Sequence, residues 1–369
     1  MENNKLVVIG AGEFQLPLVL KAKELGYEVH CFAWEAGAVA KDEADFFYPI
    51  SITDKEAILE KCKEINPVGV LTAGSDLAMP TVAYVCEALK LCCNSYEVAC
   101  RCTNKYEMRR IMRDAGVCSP FFMLADANTD LCDDAIPYPV IVKPSDSSGS
   151  RGIHLANNRE ELASAIKQSC GFSPTSTAII EEYIQGNEYS CECISYEGNH
   201  TFLAFTKKFT TGAPNYIENG HIQPDDIPEE FKDSIKSTIF KAITALGVTY
   251  GATHTEFKVD SEGNVGIIEI GARMGGGCIG SDLVYLSTGK DFLKMIIDVA
   301  CSKAPDLSVT GTVHKQAKID FIFTEKDIEK LEKLKSSNPE SIVRISKFNM
   351  ENLGKTTDCS NRVGYYITI

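Results

Sequence analysis

Residues 5–33, KLVVIGAGEFQLPLVLKAKELGYEVHCFA, set a buried strand, a glycine turn, an amphipathic helix with apolar Leu16, Val19, Leu20 and Leu25, and a second strand in direct succession. Two strands joined across a helix lie parallel, and parallel strands need cover on both faces. The opening therefore commits the chain to an α/β layer. The pattern continues with a helix at Ile58 to Ile65, a strand at Val68 to Thr72 and a helix at Met79 to Leu89. The first hundred or so residues read as a small parallel α/β domain.

Beyond them the alternation changes to an α+β pattern. A polar helix over Asn104 to Ala115 precedes a strand at Tyr138 to Lys143, a polar glycine loop to Gly152 and a helix around Glu160 to Gln168. Strands follow at Ala178 to Glu182 and Tyr189 to Ser195. Lys207 to Pro228 carries Thr, Gly, Pro and Asn with little periodicity, which predicts a long functional loop. A helix at Phe231 to Leu246 leads to strands at Thr253 to Asp260 and Val265 to Ile270, joined by Ser261-Glu262-Gly263-Asn264 as a hairpin. The last sixty residues are mixed, with a charged helix at Glu325 to Lys335 and a final strand at Val363 to Ile369.

A length of 369 residues suits two or three domains, and 44% hydrophobic with 24% charged residues is ordinary for a globular protein. The net charge of −14 disfavours nucleic acid and anionic membranes as partners, so any bound phosphate needs a local site. Fifteen cysteines form no C-x-x-C pair, and their odd number fits buried free thiols in a reducing cytosol. No apolar stretch approaches the roughly 18 residues of a membrane helix, and the expected location is cytoplasmic.

Gly10-Ala11-Gly12, with Glu35 after the second strand, superficially matches a dinucleotide fingerprint. The third glycine is missing and Gln15 stands near its place, which favours a tight turn serving another ligand or none. KPSDSSGSRGI, Lys143 to Ile153, offers flexible backbone N–H groups and a strand-borne lysine to phosphate oxygens, and it is not a Walker A motif.

Glu256 and Glu269 number symmetrically about the hairpin turn, so they are expected as cross-strand neighbours sharing one face. Paired carboxylates repel unless a cation lies between them, and their hard oxygens select Mg²⁺ or Mn²⁺. Phe257, Val259, Ile268 and Ile270 are expected on the opposite, core-facing side. Arg273, beside Gly275-Gly276-Gly277, suits a carboxylate or a transferred phosphoryl group. Three weaker signals are open to two readings. Glu181-Glu182-Tyr183-Ile184 with Glu188 is a site or a strand corner, Lys207-Lys208 is functional or a solvated pair, and His221 is functional or simply exposed.

Taken in order, NKYEMRR, YPVIVKPSDSSGSRGI, IIEEYIQGNEYS and HTEFKVDSEGNVGIIEIGARMGGG resemble the ATP-grasp superfamily. The resemblance implies an α/β and α+β chain: a Rossmann-like pre-ATP-grasp domain at 1–102, a two-lobed ATP-grasp domain at 103–308 holding nucleotide between its lobes, and a small C-terminal domain at 309–369. It further implies Lys105 and Lys143 as phosphate-binding lysines, and Ser147, Ser148, Gly149, Ser150 and Gly152 as the loop over the triphosphate. Glu181 and Ile184 resemble the adenine-reading hinge, Glu188 the ribose-binding acid, and Glu256 and Glu269 the magnesium ligands. Gly271 departs from the pattern, since many members carry Asn there.

YIENGHIQP and IEIGARMGGG look most like the carboxylate–amine ligases that include bacterial L-amino-acid ligases, in which Arg273, Lys208 and His221 would line the substrate cavity. The implied reaction forms an amide from small-molecule carboxylate and amine substrates, amino acids among them, through an acyl phosphate with release of ADP and phosphate. Homodimers occur among such proteins. A carbamoyl-phosphate or purine-assembly type of ligase, and a nucleotide sensor without turnover, are the competing readings. Asp76 and Asp282 are each read as holding a substrate ammonium or as capping a helix.

Overall fold

In the computed structural model of the chain, β1 Lys5–Ile9, β2 Glu28–Phe32, β3 Phe46–Tyr48 and β4 Gly69–Leu71 form a parallel sheet in the order β3-β2-β1-β4. Described residues are 3–129, 135–213, 216–355, 357–358 and 361–369. Leu6 to Ile9 are fully buried, as a continuous apolar strand between helices requires, and Leu18, Ile58 and Val82 of three helices share their core. Gln15 fills the glycine turn: its Oε1 accepts from the Gly12 amide (3.0 Å) and its Nε2 donates to the Ala73 carbonyl (2.5 Å). The turn is thus plugged by the protein's own side chain, which explains the absent third glycine.

A second sheet, antiparallel in the order β5-β8-β6-β7, comprises β5 Phe122–Ala125, β6 Val140–Pro144, β7 His154–Ala156 and β8 Ala178–Glu182. Helix Arg159–Cys170 buries Leu162, Ala165 and Ile166 against it. The third sheet has eight strands in the order β13-β12-β9-β10-β11-β14-β16-β15. These are β9 Asn187–Tyr196, β10 Asn199–Thr210, β11 Glu218–Gln223, β12 Gly251–Val259, β13 Val265–Gly271, β14 Ala317–Ile322, β15 Ile342–Ile345 and β16 Gly364–Thr368. The C-terminal strands therefore continue the same sheet rather than forming one of their own.

Two expectations are corrected here. Lys207 to Pro228 is not a long loop: Lys207 and Lys208 lie in β10, and His221 lies in β11, paired to β10 on one side and β14 on the other. Residues 214–215 of that segment lie outside the described residues. The alternation that marks a half-buried strand is missing because polar side chains are enclosed here, with Thr206, Lys208, His221 and Gln223 all buried. The second correction is Ile268. A bulge in the β12–β13 ladder pairs Glu256 with Glu269 but Phe257 with Ile267, leaving Ile268 extra. Ile267, Ile270, Phe257 and Val259 enter the core, whereas Ile268 faces the cavity described below.

Thirteen described cysteines are free thiols, eight of them buried, and Cys132 and Cys359 lie outside the described residues. Among the described residues no helix is long and apolar enough to cross a membrane.

Candidate active site

A cavity of about 290 Å³ lies where the second sheet, the third sheet and the loop after β4 meet. Lys105 opens the Lys105–Asp114 helix, which Asn104 caps by accepting from the Glu107 amide. Its Nζ reaches the Ser147 carbonyl at 2.6 Å and Glu269 at 3.1 Å. Lys143, near the end of β6, is 5% exposed and ion-pairs with Glu181 Oε2 at 2.7 Å. Glu181 Oε1 accepts from Arg109 Nε at 2.5 Å. Burial alone would raise the Glu181 pKa, but the two cations outweigh it and hold it down at about 2.

Glu256 and Glu269 are opposed across β12 and β13, as expected. The cations beside them are side chains: Lys208 Nζ contacts Glu256 at 2.5 Å, Glu218 at 2.8 Å and Glu188 at 3.7 Å. Burial opposes the charge on Lys208, yet these carboxylates hold it protonated far above the ordinary range. Glu256, partly buried on the cavity wall, is held well below the carboxylate range by Lys208 and His254. Glu188 goes the other way, raised by burial.

His254 precedes Glu256 by two residues on the same strand face, and its Nε2 lies 3.2 Å from Glu256 Oε1. Its Nδ1 bonds Glu192, which is fully buried on β9 and also accepts from the Gly275 amide at 3.0 Å. Burial disfavours the imidazolium, but Glu192 raises the His254 pKa to about 9.

Arg273 and Asp76 form a two-bond ion pair, Nε to Oδ1 at 2.9 Å and Nη2 to Oδ2 at 2.7 Å. Asp76 thus does not cap the Met79–Leu89 helix; it lines the cavity with its carboxylate held by Arg273. Asp282 likewise pairs with Arg344 at 2.8 Å. The same pair accounts for Gly271, because a Cβ there would stand 2.7 Å from Asp76 Oδ1 and 3.2 Å from the guanidinium.

Ser147, Ser148, Gly149 and Ser150 line the cavity; Gly149 and Ser150 take positive φ (77° and 60°). Gly152 does not line it. A Cβ at Gly152, whose φ is 69°, would meet the Phe172 ring at 2.7 Å. Ile184 and Glu188 line the far end, where the Ile184 carbonyl accepts from Lys258 Nζ at 3.2 Å.

His221 is corrected in place: it is fully buried behind the cavity wall, 3.3 Å from where a Gly277 Cβ would stand, with Glu218 3.6 Å away. Burial holds its imidazole below the ordinary pKa. Sequence reasoning passed over His254, Glu192, Glu218, Arg109 and Arg362. Two of these carried a signal: an acid inside the apolar run of β9, and a histidine two residues before Glu256 on the same strand.

Among the described residues, no three His, Cys, Asp or Glu side chains cluster as metal ligands. The donor chemistry nonetheless fits a hard divalent cation, since Glu256 and Glu269 are opposed carboxylates on the cavity wall.

Residues 136–282 match the family model of the ATP-grasp domain. The chain is 27% identical over 307 residues to the alanine–anticapsin ligase of Bacillus subtilis (strain 168), covering 72% of this chain and 64% of that protein. The fold is also that of the L-amino acid ligase from Bacillus licheniformis, with a TM-score of 0.82 at 23% identity over 100% of this chain and 93% of that one. Phosphoribosylglycinamide synthetase from Anaerococcus prevotii superposes with a TM-score of 0.79 at 25% identity, covering 100% and 94%.

Proposed function

We propose that this chain is an ATP-dependent carboxylate–amine ligase that forms an amide or peptide bond through an acyl phosphate, releasing ADP and phosphate. The observation that carries the reading is the cavity itself: Lys105, Lys143, Lys208 and Arg273 surround the opposed Glu256 and Glu269, beside a serine- and glycine-rich loop. Phosphoryl transfer calls for this concentration of charge and alignment more than for a covalent nucleophile. The similarity to ligases named for amino-acid substrates supports amino acids as the carboxylate and amine.

In this reading Lys105 and Lys143 bind phosphate oxygens, and the amides of Ser147 to Ser150 close over them. The segment to Ile184 receives the adenine, and Glu188 accepts from ribose hydroxyls. Arg273 orients the substrate carboxylate or its acyl phosphate, with Asp76 fixing the plane of the guanidinium. Lys208 balances the acids around the transferred group, and His221 supports the wall formed by Gly277. Magnesium or manganese held by Glu256 and Glu269 would neutralise the triphosphate.

The comparable superposition on phosphoribosylglycinamide synthetase favours a second reading, in which the amine belongs to a phosphoribosyl compound. Phosphate release from MgATP across the twenty amino acids, singly and in pairs, tests the first reading, with Glu256→Ala/Glu269→Ala as control. Release that needs one particular pair and is absent from the control supports it. Release that depends on a phosphoribosylamine instead assigns the chain to the second type.

A further inference from the structure

Arg362 carries the C-terminal segment into the cavity. Among the described residues that line it, every other lies between Phe14 and Ile279. The backbone at Arg362 is fixed on both sides: its carbonyl accepts from Asn352 Nδ2 at 3.0 Å, the Val363 amide donates to the Ile322 carbonyl at 3.0 Å, and β16 then pairs along β14. The side chain is 9% exposed.

The guanidinium lies on the Phe321 ring of β14, 3.6 Å from its centroid. That ring is held edge-on by His221 (5.4 Å, 84°) and Tyr365 (6.3 Å, 74°). A planar cation on an aromatic face keeps its donors in a fixed plane. Here one nitrogen, Nη2, donates both to Glu218 Oε2 at 3.1 Å and to the Glu218 carbonyl at 3.2 Å. Bonds to the backbone and to the carboxylate of the same residue pin that side chain in one orientation.

The other Glu218 oxygen, Oε1, meets Lys208 Nζ at 2.8 Å, and Lys208 in turn meets Glu256. Four charges of alternating sign thus run from the C-terminal segment to one of the two opposed acids: Arg362, Glu218, Lys208 and Glu256. Lys208 is 1% exposed and has Glu188 at 3.7 Å as a third carboxylate, so its place is decided by where each acid is held. Glu256 is held by His254, and Glu218 by Arg362. Without Arg362, only His221, 3.6 Å away, stands beside Glu218 Oε2, and the carboxylate is released to turn toward Lys208 and draw it off Glu256.

Resting on the ligase reading, we infer that Arg362 is a positioning residue for phosphoryl transfer, fixing Glu218 and through it the place of Lys208 beside Glu256. In that step an oxygen of the substrate carboxylate bonds to the γ-phosphorus and the bridging P–O bond to ADP breaks. The electron pair of the broken bond stays on ADP, and no proton moves. Lys208 balances charge that passes from one oxygen to the other, and a displacement of about 1 Å in such a group costs up to about a hundredfold in rate.

The test uses the whole chain and the amino-acid pair that supports phosphate release, with Tm as the check on folding. Arg362→Met keeps the stem and removes the charge. Its kcat is expected to fall about tenfold or more, with KM for ATP and for both amino acids within about twofold. Glu218→Gln is expected to show a similar loss, and the double variant to be no more than about twofold slower than the slower single one, because both changes break one chain. Phe321→Leu keeps the ion pair but removes the surface beneath it, and is expected to lower kcat in the same way. An unchanged kcat in Arg362→Met, an ATP KM that rises as far as kcat falls, or losses that multiply in the double variant overturns the inference. A raised KM for an amino acid at constant kcat also overturns it, since Arg362 would then be a substrate contact. Should Arg362→Met fail to fold, Phe321→Leu decides alone, and an unchanged kcat there overturns the inference. No phosphate release from the unaltered protein with any pair brings down the ligase reading, and this inference with it.

Discussion

Asp76 and Arg273, 197 positions apart in sequence, share two hydrogen bonds of 2.9 and 2.7 Å directly over Gly271. The pair ties the loop after β4 to the strand end that carries the opposed acids, and it needs the room that a residue without a side chain leaves.

Gly271→Asn is therefore expected to destabilise the protein by about 1–3 kcal/mol through overpacking. Urea denaturation measures it. The cost should shrink in an Asp76→Ala background, where the obstructing carboxylate is gone; additive effects would contradict the steric explanation.

Glu181 gives an acid-side prediction. Its folded pKa is depressed to about 2 from the ordinary glutamate value of about 4.5, so the stabilisation is present above pH 4.5 and is lost as pH falls toward 2. The shift corresponds to roughly 3 kcal/mol. Urea midpoints taken between pH 6 and pH 3 should fall more steeply for the unaltered protein than for Glu181→Gln. The variant itself should lose about 3–5 kcal/mol at pH 7, because Arg109 and Lys143 are left without their carboxylate.

His254 titrates in the opposite sense. With its folded pKa raised to about 9 from 6.5, the Glu192–His254 contact stabilises fully below pH 6.5 and fades as pH rises through 9. Following the ring by NMR should show a midpoint near 9 that drops in Glu192→Gln. A midpoint that Glu192→Gln leaves in place would show that another group holds the proton.

Metal dependence can be read without turnover. MgATP should raise Tm, by the equivalent of about 2.7 kcal/mol at a hundred times Kd, and EDTA should remove most of that gain. In Glu256→Ala/Glu269→Ala the EDTA-sensitive part should vanish. Its persistence would move the metal ligands elsewhere.

Much of the fold was legible because hydrophobic period reports burial directly. The parallel opening, the helices flanking the glycine loop, and the Glu256–Glu269 pairing all follow from local pattern and from symmetry about a turn. The stretch from Lys207 to Pro228 was misread for the converse reason: its strands enclose a polar site, so buried positions carry Lys, His and Gln and the period disappears. Ile268 was placed on the wrong face because one bulged residue reverses the alternation.

The sequence alone determined which residue types stand next to which turn, strand or loop, and so the order of the elements and the identity of most cavity-lining groups. Tertiary structure decided their partners. Arg273 meets Asp76, Lys208 gathers Glu188, Glu218 and Glu256, and Glu192 braces both His254 and Gly275. Such pairings depend on distances set by packing between segments far apart in the chain, and burial then decides whether each charge is held or suppressed.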